Sequence, residues 1–145
     1  MSINTQYRTQ ESEIMDDFSL QGEDLKEALD QIARINQLLG GNKVTLHGVK
    51  RLIKKLEHTK TITIADIGCG NGDMLRMLAA FGQKNKYTFK LIGIDANEFT
   101  VNYAKVLSKE YPNIEYECMD IFSADFKLLK YDIVLCTLTL HHFRD

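Results

Sequence analysis

Residues 61–78, TITIADIGCGNGDMLRML, set glycines at 68, 70 and 72 directly behind an alternating apolar run and directly ahead of an apolar run with helical spacing. A chain that leaves a strand and enters a helix over so short a distance passes through left-handed backbone conformations. There a residue with a Cβ costs roughly 1–2 kcal/mol and glycine costs almost nothing. One or two glycines are enough for a tight connection. Three on alternate positions make a bend free of side chains, against whose backbone a ligand can lie. In open α/β sheets ligands bind at this place, beyond the carboxyl ends of the strands.

The flanking pattern supplies such a sheet. From residue 61 onward, β-type runs at 61–67, 89–95, 114–119 and 131–140 are separated by helical runs at 73–81, closed by Gly82, and at 98–111, closed by Pro112. The interval 121–130 has room only for a loop or a turn or two. Strand alternating with helix predicts right-handed βαβ crossovers and a parallel sheet. Ahead of it, Leu25, Ala28, Leu29, Ile32, Ile35, Leu38 and Leu39 recur at three- and four-residue steps, which predicts a helix over 23–39 with Gly40-Gly41 as its left-handed stop. Asn42 is placed to cap a second helix, in which Leu46, Val49, Leu52, Ile53 and Leu56 keep the period to about residue 57. The division is thus 1–58, an arm with a two-helix extension, and 59–145, the α/β part. In the arm only Ile14, Met15 and Phe18 cluster, as a helical turn or a docking segment.

Composition narrows the ligand. A chain of 145 residues, 44% hydrophobic with one proline, can bury one ordinary core. Its formal net charge of −2 gives no electrostatic case for nucleic acid or an anionic membrane, so a small molecule is the expected partner. Lys50, Arg51, Lys54 and Lys55 read as a solvated helix face, with a basic docking patch as the alternative. The start, MSINTQYRTQESE, lacks the basic and apolar blocks of a secretory signal, and no run approaches the roughly 18 apolar residues of a membrane span. A cytoplasmic protein is expected. Cys69, Cys118 and Cys136 lack CxxC spacing and read as reduced thiols, and no cluster has metal-ligand spacing.

Two carboxylates set the sign of the ligand. A nicotinamide or flavin dinucleotide calls for GxGxxG, with the helix N-terminus facing a pyrophosphate. The third glycine position is Asp73, whose carboxylate repels a pyrophosphate, and Asp66 at the strand end adds a second negative charge. The bend therefore favours a ligand with a cationic portion. Asp95 ends the next strand about 20 residues further on, the separation at which a βαβ unit brings a carboxylate beside a ribose. It can instead cap the following helix, although Asn97 is better placed for that. Asp120 can accept from an adenine amino group while the Ile121 amide donates to a ring nitrogen, or it can simply begin a turn. Ile121, Phe122 and Phe99 are candidates to sandwich a base. Asp66 is expected to be held by amides of the glycine loop.

ADIGCGNGD resembles motif I of the class I S-adenosylmethionine-dependent methyltransferases, an acidic residue followed by GxGxG. LIGIDAN, CMDIF and YDIVLCTLTLHHF resemble the second, third and fourth strand motifs of that family in order. The resemblance implies a Rossmann-like doubly wound α/β fold with strand order 3-2-1-4, and S-adenosylmethionine as cofactor. It implies ribose contact by Asp95, adenine contact by Asp120 and Ile121, and an approach of Asp66 to the cofactor's amino group. Gly68, Cys69 and Gly70 in the bend, Ala96 beside Asp95, and Thr137 in the fourth strand complete the implied set.

The implied reaction is methyl transfer from a sulfonium to a small-molecule acceptor, which the HHF ending favours. His141 and His142 end the fourth strand on opposite faces; His142 is the candidate to position or deprotonate an acceptor, and packing against a following helix is the other reading. Tyr7 or Arg8 can reach the cofactor carboxylate from the arm. The family domain continues past its fourth strand, whereas this chain stops at HHFRD, so a fragment is expected, with an exposed fourth strand prone to self-association. Two alternatives remain: an NAD-dependent oxidoreductase, and a non-catalytic module that has kept the cofactor loop.

Overall fold

The computed structural model describes residues 19–56, 60–123 and 130–137. Two helices come first, α1 (Glu23–Leu38) and α2 (Gly41–Ile53). Strands and helices then alternate as β1 (Ile62–Ile67), α3 (Asp73–Asn85), β2 (Phe89–Asp95), α4 (Glu98–Leu107) and β3 (Ile114–Cys118), with β4 (Ile133–Leu135) last. The sheet order is β3-β2-β1-β4 and every pairing is parallel, as the sequence predicts. The chain steps from β1 to β2 to β3 in one direction through two crossovers, and two right-handed crossovers in the same sense place both helices on one face.

The side chains agree. On that face Ile62 and Ile64 of β1, Phe89 and Leu91 of β2, Tyr116 of β3 and Leu135 of β4 form one core with Leu75 and Leu78 of α3, Val101 and Ala104 of α4, and Val49 and Ile53 of α2. Ala65, Ile67, Ile92 and Ile94 line the other face beneath Met119, Ile121, Tyr131 and Cys136. The period of two in the strands thus separates two apolar layers. Val134, between two buried neighbours on β4, is 54% exposed.

Several boundaries move for physical reasons. The α3 helix runs through Gly82 to Asn85 because Gly82 is a contact point: a Cβ there would lie 2.7 Å from the Phe89 ring. Lys86, at φ 60°, supplies the left-handed stop instead. The α4 helix ends at Leu107, where the Ser108 amide turns back to the carbonyls of Ala104 and Lys105. Gly40, at φ 80°, and not Asn42, is the N-cap of α2; Asn42 sits inside the helix and is buried for another purpose. Along α1 only Leu25, Leu29 and Ala33 are buried, while Ile32, Ile35 and Leu38 of the predicted stripe are exposed. Residues 57–59 and 138–140, at the expected ends of the second helix and the fourth strand, lie outside the described residues.

Candidate functional site

All three glycines of the bend adopt positive φ, 67° at Gly68, 53° at Gly70 and 77° at Gly72. The amides of Gly68 and Cys69 donate to the Ile94 carbonyl at 2.8 and 3.2 Å, tying the bend to the end of β2. Gly72 caps α3, and its amide donates to the Cys69 carbonyl at 2.9 Å. A Cβ at Gly72 would fall 2.0 Å from Tyr116 Oη, so this position requires glycine for packing as well as for conformation. Gly70 faces α1: its absent Cβ would touch Leu29 at 3.7 Å.

Three carboxylates surround this bend. Asp66 and Asp95 follow the alternation of Ile62, Ile64, Phe89 and Leu91, so both project to the helix-covered face at the carboxyl ends of neighbouring strands. Asp66 is buried at 4% exposure, and burial first, then the Asp73 and Asp95 charges, push its pKa up to about 7. The expectation that loop amides hold Asp66 is not met. Those of Gly68 and Cys69 are spent on Ile94, that of Gly70 on Asp95 and that of Gly72 on Cys69, and among the described residues no donor reaches the Asp66 carboxylate.

Asp95 Oδ1 accepts from the Asn97 amide at 3.0 Å and Oδ2 from the Gly70 amide at 3.3 Å. Burial raises its pKa and these amide bonds lower it, with burial ahead. Capping of α4 falls to Asn97, whose Oδ1 accepts from the Thr100 amide at 2.9 Å, so Asp95 joins the bend to β2 rather than starting the helix. Asp73 occupies the first turn of α3 and accepts from Asn42 Nδ2 at 2.6 Å. Cys69 is buried beside these acids, and burial followed by the Asp95 and Asp66 charges holds its thiol neutral.

The remaining predicted residues fall along the same edge of the sheet. Ala96 follows Asp95, and its carbonyl accepts weakly from Cys118 Sγ at 3.5 Å. Asp120, past the end of β3, is exposed and does begin a turn: its Oδ1 accepts from the Phe122 amide at 2.9 Å and its carbonyl from the Ser123 amide. Its Oδ2 meets no donor among the described residues. Ile121 packs on the sheet, Phe122 is 68% exposed, and Phe99 is half-buried on α4. Thr137 lies just past β4 and is half-buried. Tyr7, Arg8, His141 and His142 lie outside the described residues.

Asn71 is the residue of the bend that sequence reasoning passed over, although its position between two of the glycines was a signal. It is buried, its Oδ1 accepts from the Asp73 amide at 3.2 Å, and its carbonyl accepts from Arg76 Nη1 at 2.5 Å. Its Nδ2 donates to Asp30 of α1 at 3.1 Å. Arg76 continues to Ser108 Oγ at 3.3 Å, and Ser108 shares a 2.7 Å hydrogen bond with the hydroxyl of Tyr116, the ring beside Gly72.

A glycine turn tied to two strand ends, flanked by acids and sitting on a 3-2-1-4 parallel sheet agrees with the outcome of comparison. Residues 64–145, more than half of the chain, match the family described as methyltransferase domain. The chain belongs to that family. The domain is 38% identical over 85 residues to a protein-lysine N-methyltransferase of Saccharomyces cerevisiae, covering 57% of this chain and 35% of that protein. It is 30% identical over 83 residues to a ubiquinone biosynthesis O-methyltransferase of Coxiella burnetii, covering 57% and 33%. The chain therefore spans about a third of the length of these curated relatives. The CurJ carbon methyltransferase shares the fold, with a TM-score of 0.57 at 18% identity over 66% of this chain and 26% of that one. Among the described residues of the domain, no cluster could hold a metal ion, and no helix is long and apolar enough to cross a membrane.

Proposed function

We propose that the chain binds S-adenosylmethionine at the glycine bend and serves methyl transfer to a small-molecule nucleophile in the cytoplasm. The observation that carries this reading is Asp66, a buried acid with two acidic neighbours and no donor among the described residues. Burying a charge without a partner is costly, and a cationic group at this position would supply the missing one. The N-terminus of α3 already carries the Asp73 carboxylate, which opposes a phosphate there. The residues thus fit a cationic nucleoside.

S-adenosylmethionine supplies an ammonium group and a methyl group on a positively charged sulfur whose departure needs little assistance. The chain's share is to bind and to orient, and alignment alone can supply roughly 7–11 kcal/mol of a barrier. Asp66 would hold the ammonium group. Asp95, fixed by two amides, would accept from the ribose hydroxyls, and Asp120 with Ile121 and Phe122 would frame the base. The bend from Gly68 through Cys69 to Gly70 would carry the middle of the cofactor, with Ala96 and Thr137 at its flanks. His142 remains the candidate to orient the acceptor.

The pH dependence of binding tests this. Below about pH 7 Asp66 holds a proton that a cation must displace, so affinity rises with pH up to that value. Calorimetric titration with S-adenosylhomocysteine from about pH 5.5 to about pH 8.5 should show that rise, with proton release, levelling above about pH 7, and Asp66→Asn should remove it. An affinity that is level between pH 5.5 and 7.5 in the unaltered chain contradicts the assignment of Asp66.

A further inference from the structure

Two side chains of the helical front reach into the glycine bend, and nothing in the local sequence announces either. Asp30, in the middle of α1, accepts from Asn71 Nδ2 at 3.1 Å and, through both carboxylate oxygens, from Tyr103 Oη of α4 at 3.0 and 2.8 Å. Asn42 of α2 donates to Asp73 at 2.6 Å. The two front helices therefore grip the residues on either side of Gly72, and Leu29 of α1 lies against Gly70 between them.

We infer that Asp30 is a positioning residue for the ligand site: through Asn71 it fixes the second half of the glycine bend, so that the front helices complete the site. The inference rests on the ligand reading above. Its physical basis is the saturation of Asn71. Nδ2 donates to Asp30, Oδ1 accepts from the Asp73 amide and, at 3.5 Å, from Arg76 Nη2, and the backbone carbonyl accepts from Arg76 Nη1. The amide of Asn71 has one orientation that meets all of these demands, because its nitrogen donates and its oxygen accepts. Without an acceptor at position 30, Nδ2 loses its partner and the amide group is held from its oxygen side alone, by the Asp73 amide and Arg76. Glycines such as Gly70 and Gly72 have the widest backbone freedom, so the conformation of the bend depends on the contacts around it. Gly70 in turn donates to Asp95, so a shift of the bend is felt at the acid proposed to hold the ribose.

The test uses the 145-residue chain with Asp30→Ala, which removes the acceptor, with Glu27→Gln as a charge control elsewhere on α1, and with the double variant Asp30→Asn and Asn71→Asp. The double variant reverses donor and acceptor across the same contact and keeps an acceptor for the Asp73 amide. Two readouts are taken: affinity for S-adenosylhomocysteine, and hydrogen exchange of amides 68–73 in the ligand-free chain. Hydrogen bonds to charged groups are worth enough for Asp30→Ala to weaken binding about tenfold or more. Exchange at 68–73 should rise several-fold while the amides of β1 and β2 keep their protection. The double variant should recover most of both, and the control should match the unaltered chain.

Affinity and exchange within twofold of the unaltered chain in Asp30→Ala would overturn the inference, as would a double variant no better than the single one. If the unaltered chain does not bind the ligand, the ligand reading fails by itself, and the exchange measurement still decides whether Asp30 holds the bend.

Discussion

Position 66 shows how one residue links stability to function. An acid whose folded pKa lies near 7, against 3.8 in its ordinary state, favours the folded chain most when protonated. That contribution is complete below about pH 4 and is lost as pH rises through about 7. In the ligand-free state, Asp66→Asn should therefore melt higher than the unaltered chain at pH 8, with the difference closing towards pH 4. Chemical denaturation at both pH values checks this, and equal stability at pH 8 contradicts the burial of an unpaired charge.

Gly72 gives a second test at the same scale. Alanine there would bring a Cβ to 2.0 Å from the Tyr116 hydroxyl at a φ of 77°. Strain and overpacking of this kind cost about 1–3 kcal/mol each, so Gly72→Ala should lower the melting temperature by about 6–20 °C. An unchanged melting temperature would mean that Tyr116 can move aside. The sequence showed that a glycine belonged at 72, because left-handed geometry leaves a local trace. It did not show that a tyrosine 44 residues further on fills the space.

At the scale of elements, what was legible depended on whether the cause was local. The strand over 89–95 and the starts of α1, α3 and α4 fall where alternation and periodicity place them. Helix ends and caps were misread where a tertiary contact overrides the local rule. Asn42 has the chemistry of a cap, but its amide is used by Asp73, 31 residues away, and Gly40 caps instead. Gly82 looks like a stop, but α3 continues because the Phe89 ring, stacked with Tyr87 and near Phe81, occupies the missing side chain's place.

The two effects at Gly82 oppose each other. Alanine gains about 1 kcal/mol of helix propensity, while overpacking a filled site costs about 1–3 kcal/mol. The buried ring should decide the sign. Gly82→Ala is expected to destabilise modestly by thermal melting, and a stabilised variant would show that the Phe81–Tyr87–Phe89 cluster yields.

For the whole molecule, the 3-2-1-4 order followed from strand and helix alternation together with the family resemblance, and the crossover rule then places α3 and α4 on one face. The resemblance implies that the front helices pack over the ligand site; what the sequence could not convey was which side chains dock them there. Asp30 meets Asn71 across 41 residues and Tyr103 across 73, and neither separation leaves a pattern in a single chain. The exposed Ile32, Ile35 and Leu38 show the same limit in reverse: periodicity marked them as core, yet α1 turns only Leu25, Leu29 and Ala33 inward.

The central claim is that an acid-lined bend accepts a cationic nucleoside and rejects a pyrophosphate. Parallel calorimetric titrations of the 145-residue chain at pH 7.5, one with S-adenosylmethionine and one with NADH, test it most directly. Saturable binding of the first, lost by at least about tenfold in Asp95→Ala, with no heat from the second, is the predicted result. Binding of NADH, or of neither ligand, would contradict it.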